Sequence, residues 1–134
     1  MTRSPLAMAI HHVQITIPTG AEEDARAFYC GVLGLEEVPK PESLAGRGGL
    51  WVRTGNLTLH IGTEDGVDRA ASKAHVAYEV GDAKEASRYL QSHGVRILDS
   101  VPIPGYDRFE FRDPFGNRAE CIQLLSGEGL ANER

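Results

Sequence analysis

The chain is 134 residues long, 41% hydrophobic and 25% charged, with a formal net charge of −5. That length supports one domain with a real core, while the acidic balance excludes the basic stripe of a nucleic-acid binder and no apolar run reaches the roughly 20 residues of a membrane span. The opening MTRSPLAM lacks the apolar stretch of a signal peptide, and Cys30 and Cys121 sit in apolar surroundings as free thiols rather than a disulfide framework, so a cytoplasmic location is expected.

In chain order, His12-Val13-Gln14-Ile15-Thr16-Ile17 alternates like a strand, and Ala25, Phe28 and Tyr29 then fall on one face of a helix. Thr19 and Glu22 have capping-box spacing ahead of that helix, and Gly34 suits its end. Three strand-like runs follow, at Glu36–Val38, Gly49–Arg53 and Leu57–Ile61.

The pattern then repeats. His75-Val76-Ala77-Tyr78-Glu79-Val80 reads as a strand, and Ala86, Tyr89 and Leu90 form a helix face. Asp82 with Glu85 makes a second capping-box pair, and Gly94 a second helix end. Runs at Val95–Leu98, Arg108–Arg112 and Arg118–Leu124 complete the copy. His75 follows His12 by 63 residues and Glu120 follows His60 by 60, so equivalent positions lie about half a chain apart. The expected fold class is α+β: two βαβββ modules, about 9–62 and 73–125, in one domain spanning 1–134, with a frayed polar tail at 126–134.

Side chains alternate along a strand, so each strand has an apolar face for its helix and a second face of different character. Val13, Ile15 and Ile17 oppose His12, Gln14 and Thr16. Val76, Tyr78 and Val80 oppose His75, Ala77 and Glu79. Leu57, Leu59 and Ile61 oppose Thr58, His60 and Gly62, and Phe109 and Phe111 oppose Arg108, Glu110 and Arg112. Polar faces on curved sheets make a ligand cavity. His12 and His75 are equivalent, as are His60 and Glu120. Two histidines and a carboxylate suit Fe, Mn, Co, Ni or Zn, with His60 as a fourth candidate. On residue types alone, these groups serve equally well as hydrogen-bonded cavity side chains. Aligning the halves sets Trp51 and Arg53 at the positions of Glu110 and Arg112. Trp51 is a candidate flat wall, Arg53 or Arg108 a candidate clamp for a carboxylate, Gln14 a donor to a substrate oxygen, and Tyr106 a mouth-loop residue. Glu110 completes the candidate substrate-facing set. His11 has the parity opposite to His12, and His93 ends the second helix, where a cation favours the dipole; both are read as structural.

The segments Ile10-His11-His12-Val13, Ala27-Phe28-Tyr29 with Val32-Leu33-Gly34-Leu35, Ala74-His75-Val76, and Asp113-Pro114-Phe115-Gly116-Asn117-Arg118-Ala119-Glu120 together resemble the vicinal oxygen chelate superfamily. That superfamily includes glyoxalases, extradiol dioxygenases and bleomycin-resistance proteins. The resemblance covers about residues 10 to 125. It implies modules paired into a half-open curved β-barrel with helices packed outside, and ligands from the first and fourth strands of each module. Those slots match His12, His60, His75 and Glu120. It implies one divalent metal ion, a small-molecule substrate chelated through vicinal oxygens, and a homodimer. Glu120 would be ligand and proton acceptor, and His60 a fourth ligand or the acid/base group. Isomerase, lyase, thiol-transferase and dioxygenase chemistry all remain open. The alternative is a metal-free protein of the bleomycin-resistance type that sequesters a drug or antibiotic. Glyoxalase I typically carries glutamates at both fourth-strand slots, and His60 departs from that pattern.

Overall fold

The computed structural model describes residues 4–125, so the tail expected at 126–134 lies outside the described residues. The chain divides between Val67 and Asp68 into two compact units. Each carries the βαβββ order expected from the repeat.

In the first unit, β1 (His12–Ile17) leads to a short α1 (Glu22–Ala25), which continues as a π-helical stretch (Arg26–Val32). The wider winding shows in the Leu33 N–H, which donates to the Phe28 carbonyl at 2.9 Å, five residues back. β2 (Glu36–Val38), a 3₁₀ turn (Glu42–Arg47), β3 (Leu50–Thr54) and β4 (Leu57–Thr63) follow. The sheet order is β1-β4-β3-β2, with β1 parallel to β4 and the other pairs antiparallel. Ile17, Ala25, Phe28, Tyr29, Leu50, Val52, Leu59 and Ile61 are buried as its core, while His12 and Gln14 on the other face of β1 remain exposed. The alternation read from the sequence is therefore the alternation of burial.

The second unit repeats the scheme. A 3₁₀ turn (Arg69–Ala71) precedes β5 (His75–Glu79), α2 (Ala83–Ser92), β6 (Ile97–Leu98), β7 (Tyr106–Arg112) and β8 (Arg118–Leu124), in the order β5-β8-β7-β6 with β5 parallel to β8. α2 packs on β6, β7 and β8. Ala83, Leu90, Phe109, Phe111, Ala119 and Cys121 are buried. Phe111 is fully enclosed, a burial that contributes about 1.5–3 kcal/mol.

Local chemistry explains the element ends. Asp82 caps α2 as expected, its Oδ1 accepting from the Glu85 amide at 3.0 Å. The parallel expectation for Thr19 and Glu22 is corrected. α1 begins after Ala21 without a side-chain cap. The Thr19 amide and hydroxyl both donate to the Asp65 carboxylate, at 2.9 and 2.7 Å, and Glu22 Oε2 accepts from the Gly49 amide at 2.8 Å. Partners distant in sequence have taken both groups. Gly34 and Gly94 end the helices with positive φ, as expected. Among the described residues, no helix is long and apolar enough to cross a membrane.

Candidate functional site

The turn between β7 and β8 sets the register of the second unit's polar face. Asp113 Oδ1 accepts from the amides of Phe115 (2.9 Å) and Asn117 (2.8 Å), and its Oδ2 from the Asn117 side chain (2.9 Å). Gly116 supplies the positive φ, +97°, that closes the turn. With the turn pinned, Glu110 stands directly across from Glu120. Both carboxylates are buried, at 8% and 5% exposure. Like charges paired across strands repel, and each is answered by an arginine.

Arg118 clamps Glu110 in a fork, Nε to Oε1 at 2.9 Å and Nη2 to Oε2 at 2.7 Å. That hydrogen-bonded guanidinium holds the Glu110 carboxyl below the usual carboxylate range, against the opposing effect of burial. Arg108 Nη1 lies 3.2 Å from Glu120 Oε2 and 3.6 Å from Glu110 Oε2. Its Nε and Nη2 both donate to the Val101 carbonyl, at 3.0 and 2.6 Å. The expected substrate clamp at Arg108 thus spends its donors within the protein. Glu110, expected to face substrate, is likewise engaged by Arg118.

The other oxygen of Glu120, Oε1, lies 3.2 Å from Nε2 of His75. Nδ1 of the same ring is 3.0 Å from the Lys73 carbonyl. A carbonyl only accepts, so this contact places the proton on Nδ1 and leaves Nε2 to face Glu120. Two donors bonded to one first-row ion at about 2.1 Å stand roughly 3.0–3.5 Å apart. The His75–Glu120 pair fits that spacing, and the Nδ1 anchor is the outer support that metal-bound histidines usually have. Among the described residues, no group of three or more His, Cys, Asp or Glu side chains is gathered as a metal cage. Cys121, beside Glu120 in sequence, has its thiol pushed up to about 11 by burial and offers no thiolate.

The polar face of the first unit is aromatic. Trp51 stacks on His60 with ring centroids 3.8 Å apart and planes 5° from parallel. His60 stacks in turn on His12 at 4.0 Å and 13°. Trp51 and His60 face each other across β3 and β4, and Gln14 pairs with His60 across β1 and β4. An imidazole lone pair lies in the ring plane, so stacked rings in parallel planes do not aim at one ion. As stacked here, the His60 and His12 lone pairs lie in planes only 13° apart, and His60 forms part of the aromatic wall. Burial first, then electrostatic repulsion involving His12, His11 and Lys40, pushes the His60 imidazolium towards deprotonation. His12 Nδ1 lies 3.0 Å from His11 Nδ1, so Nε2 is the nitrogen outside that contact.

A cavity of about 270 Å³ opens beside the stack, lined by Trp51, His60, Gln14, Lys40, Leu44 and Arg47 together with Gly48 and Ile61–Thr63. Gln14 and Trp51, two of the residues the sequence offers as substrate contacts, both line this cavity. Arg53 is instead paired at the surface with Glu36 Oε1, at 3.1 Å. Tyr106 opens β7, its amide donating to the Ile103 carbonyl at 3.1 Å. Sequence reasoning missed Lys40, Leu44, Arg47 and Arg118. Only the 3₁₀ turn at Glu42–Arg47, which lacks an amphipathic period, brings Leu44 and Arg47 to the cavity.

The family described as the Glyoxalase/Bleomycin resistance protein/Dioxygenase superfamily matches residues 9–121. A glyoxalase family protein from Bacillus anthracis is 41% identical, with a TM-score of 0.84 over 91% of this chain and 99% of that one. FosX from Listeria monocytogenes, a fosfomycin resistance protein complexed with Mn(II) and sulfate, is 14% identical with a TM-score of 0.75, over 96% of this chain and 100% of that one. Lactoylglutathione lyase from Agrobacterium tumefaciens is 19% identical with a TM-score of 0.68, over 89% and 96%. At those identities the last two show likeness of fold. No curated protein matches the chain.

Proposed function

Because the chain belongs to the Glyoxalase/Bleomycin resistance protein/Dioxygenase superfamily, we propose that it is a divalent-metal-dependent enzyme acting on a small oxygenated molecule. The observation that carries this reading is the His75–Glu120 pair, its donor atoms 3.2 Å apart and its imidazole anchored through Nδ1. His75 and Glu120 are proposed as ligands, and His12 as the third on its equivalence to His75. Fe, Mn, Co, Ni and Zn all suit that donor set, and the Mn(II) in the Listeria FosX structure is of this kind. A bound ion would act as a Lewis acid towards one or two adjacent substrate oxygens.

The chain's own residues supply the rest. Arg108 holds Glu120 Oε2, so the carboxylate is fixed in orientation and Oε1 stays on the His75 side. Glu120, itself only 5% exposed, is the proposed proton acceptor. His60, whose imidazolium burial disfavours, is the proposed acid/base group or a fourth ligand. Gln14 donates to a substrate oxygen, and Trp51 forms the flat wall. The setting proposed with this chemistry is a cytoplasmic homodimer.

The test is to strip the protein with a chelator, reload it with each metal singly, and assay diketone, catechol, epoxide and thiol-addition substrates. Turnover should appear only in reloaded protein, and metal at 100 times its Kd should stabilise the fold by about 2.7 kcal/mol. Tight binding of a drug-like ligand that chelators leave unchanged, with no turnover, would instead establish the sequestering alternative.

A further inference from the structure

We propose that the cavity of the first unit selects a small aromatic carboxylate. This names the substrate class for the site above, and rests on the reading that this face receives the substrate. Three observations point the same way.

The first is charge. The chain carries a net −5, yet its cavity lining includes Lys40 and Arg47 and no Asp or Glu. Arg47 makes no hydrogen bond or ion pair with any described residue, leaving a planar five-donor fork open to a carboxylate. The Lys40 ammonium donates to the Gly48 carbonyl, and two of its three protons remain free. Glu22, which also feels Lys40, is already engaged by the Gly49 amide at 2.8 Å.

The second is shape. Trp51 and His60 lie flat on one another, 5° from parallel, and Leu44 adds an apolar contact. A planar aromatic body matches such a wall by offset stacking. At about 270 Å³, the cavity falls just below the roughly 300–1,000 Å³ of drug-sized ligands, which limits the occupant to a small molecule.

The third is the Gln14 side chain. Its amide hydrogen-bonds to no described residue and lies across Gly62, whose added Cβ would sit 3.4 Å from Gln14 Cδ. Glycine at 62 leaves the room that Gln14 occupies at the cavity wall. A free amide donor beside two cations and a flat wall is the donor set of an aryl carboxylate site.

Trp51 is the only tryptophan, so its emission reports on this cavity alone. The experiment titrates the full-length, chelator-treated protein with benzoate and with benzamide, its neutral counterpart, following Trp51 fluorescence. Benzoate should give a saturable change with a Kd at least about tenfold lower than benzamide. Arg47→Gln and Lys40→Gln should each weaken benzoate about fivefold to tenfold and leave benzamide unmoved. Arg47 is exposed, so its replacement spares the fold, and circular dichroism checks both variants. Equal affinity for benzoate and benzamide, no saturable response, or indifference to both substitutions would overturn the inference. A parallel metal titration separates the two readings. Charge-selective benzoate binding without metal binding removes the metal-dependent function and keeps this inference. Metal binding without benzoate selectivity does the reverse.

Discussion

The Nε2 nitrogen of His75 lies 3.2 Å from Glu120 Oε1, while Arg108 occupies Oε2 of the same carboxylate at 3.2 Å. The parallel pairing of β5 with β8, which sets His75 beside Arg118 and Ala77 beside Glu120, produces this contact. A ring anchored at Nδ1 and a carboxylate anchored at Oε2 each have one donor left for an ion. In the metal-loaded protein, ¹⁵N NMR should show His75 protonated at Nδ1 and coordinated through Nε2. Coordination through Nδ1 would contradict the role given to the Lys73 carbonyl.

Arg108 holds two buried carboxylates. Its side chain is 13% exposed, and it contacts Glu110, Glu120 and the Val101 carbonyl. Removing one partner of a buried ion network leaves charge uncompensated and costs about 3–5 kcal/mol. Arg118 still serves Glu110, so Arg108→Gln should cost about 3 kcal/mol in urea unfolding, and metal affinity should fall with it about tenfold to a hundredfold. Unchanged stability and affinity would make Arg108 a surface residue in effect.

Gly49 has φ +80°, and an added Cβ would stand 2.1 Å from the Ile61 carbonyl oxygen. Backbone strain and the clash together should make Gly49→Ala cost about 3 kcal/mol or more. Gly55 is the control, with φ +57° and nothing within 4 Å of its added Cβ; Gly55→Ala should cost only about 1–2 kcal/mol. Chemical denaturation of the two variants checks the contrast.

The Gly49 amide also fixes the sign of a pH effect. By hydrogen-bonding the Glu22 carboxylate, it holds that group below its ordinary value of 4.5. A group whose folded pKa is depressed adds stability above its unfolded pKa and loses it as pH falls through the folded one. Glu22 is half-exposed, so screening limits the effect to about 1 kcal/mol. The stability gap between wild type and Glu22→Gln should be full at pH 6 and close as the solution is acidified below the ordinary carboxylate range. A gap that widens there would reverse the assignment.

Periodicity and repeats carried much of the fold, because burial follows alternation on β1, β4 and β5, and His12 matches His75 as His60 matches Glu120. What stayed hidden arises from partners distant in sequence. Thr19 and Glu22 look like a cap, but Asp65 and Gly49 hold them. Arg108 looks like a substrate clamp until the Val101 carbonyl and two glutamates take its donors. The stack that seats His60 between Trp51 and His12 is likewise a contact between strands that no local spacing announces. Lys40 and Arg47 reach the cavity from a loop and a short turn whose spacing has no period to read.

Metal binding at His75 is tested by the metal content of protein purified without a histidine tag, compared with its His75→Ala variant. His75 is exposed, so the variant should fold. Elemental analysis should find about one divalent ion per chain in the wild type and essentially none in the variant. Full metal content in His75→Ala would contradict the account.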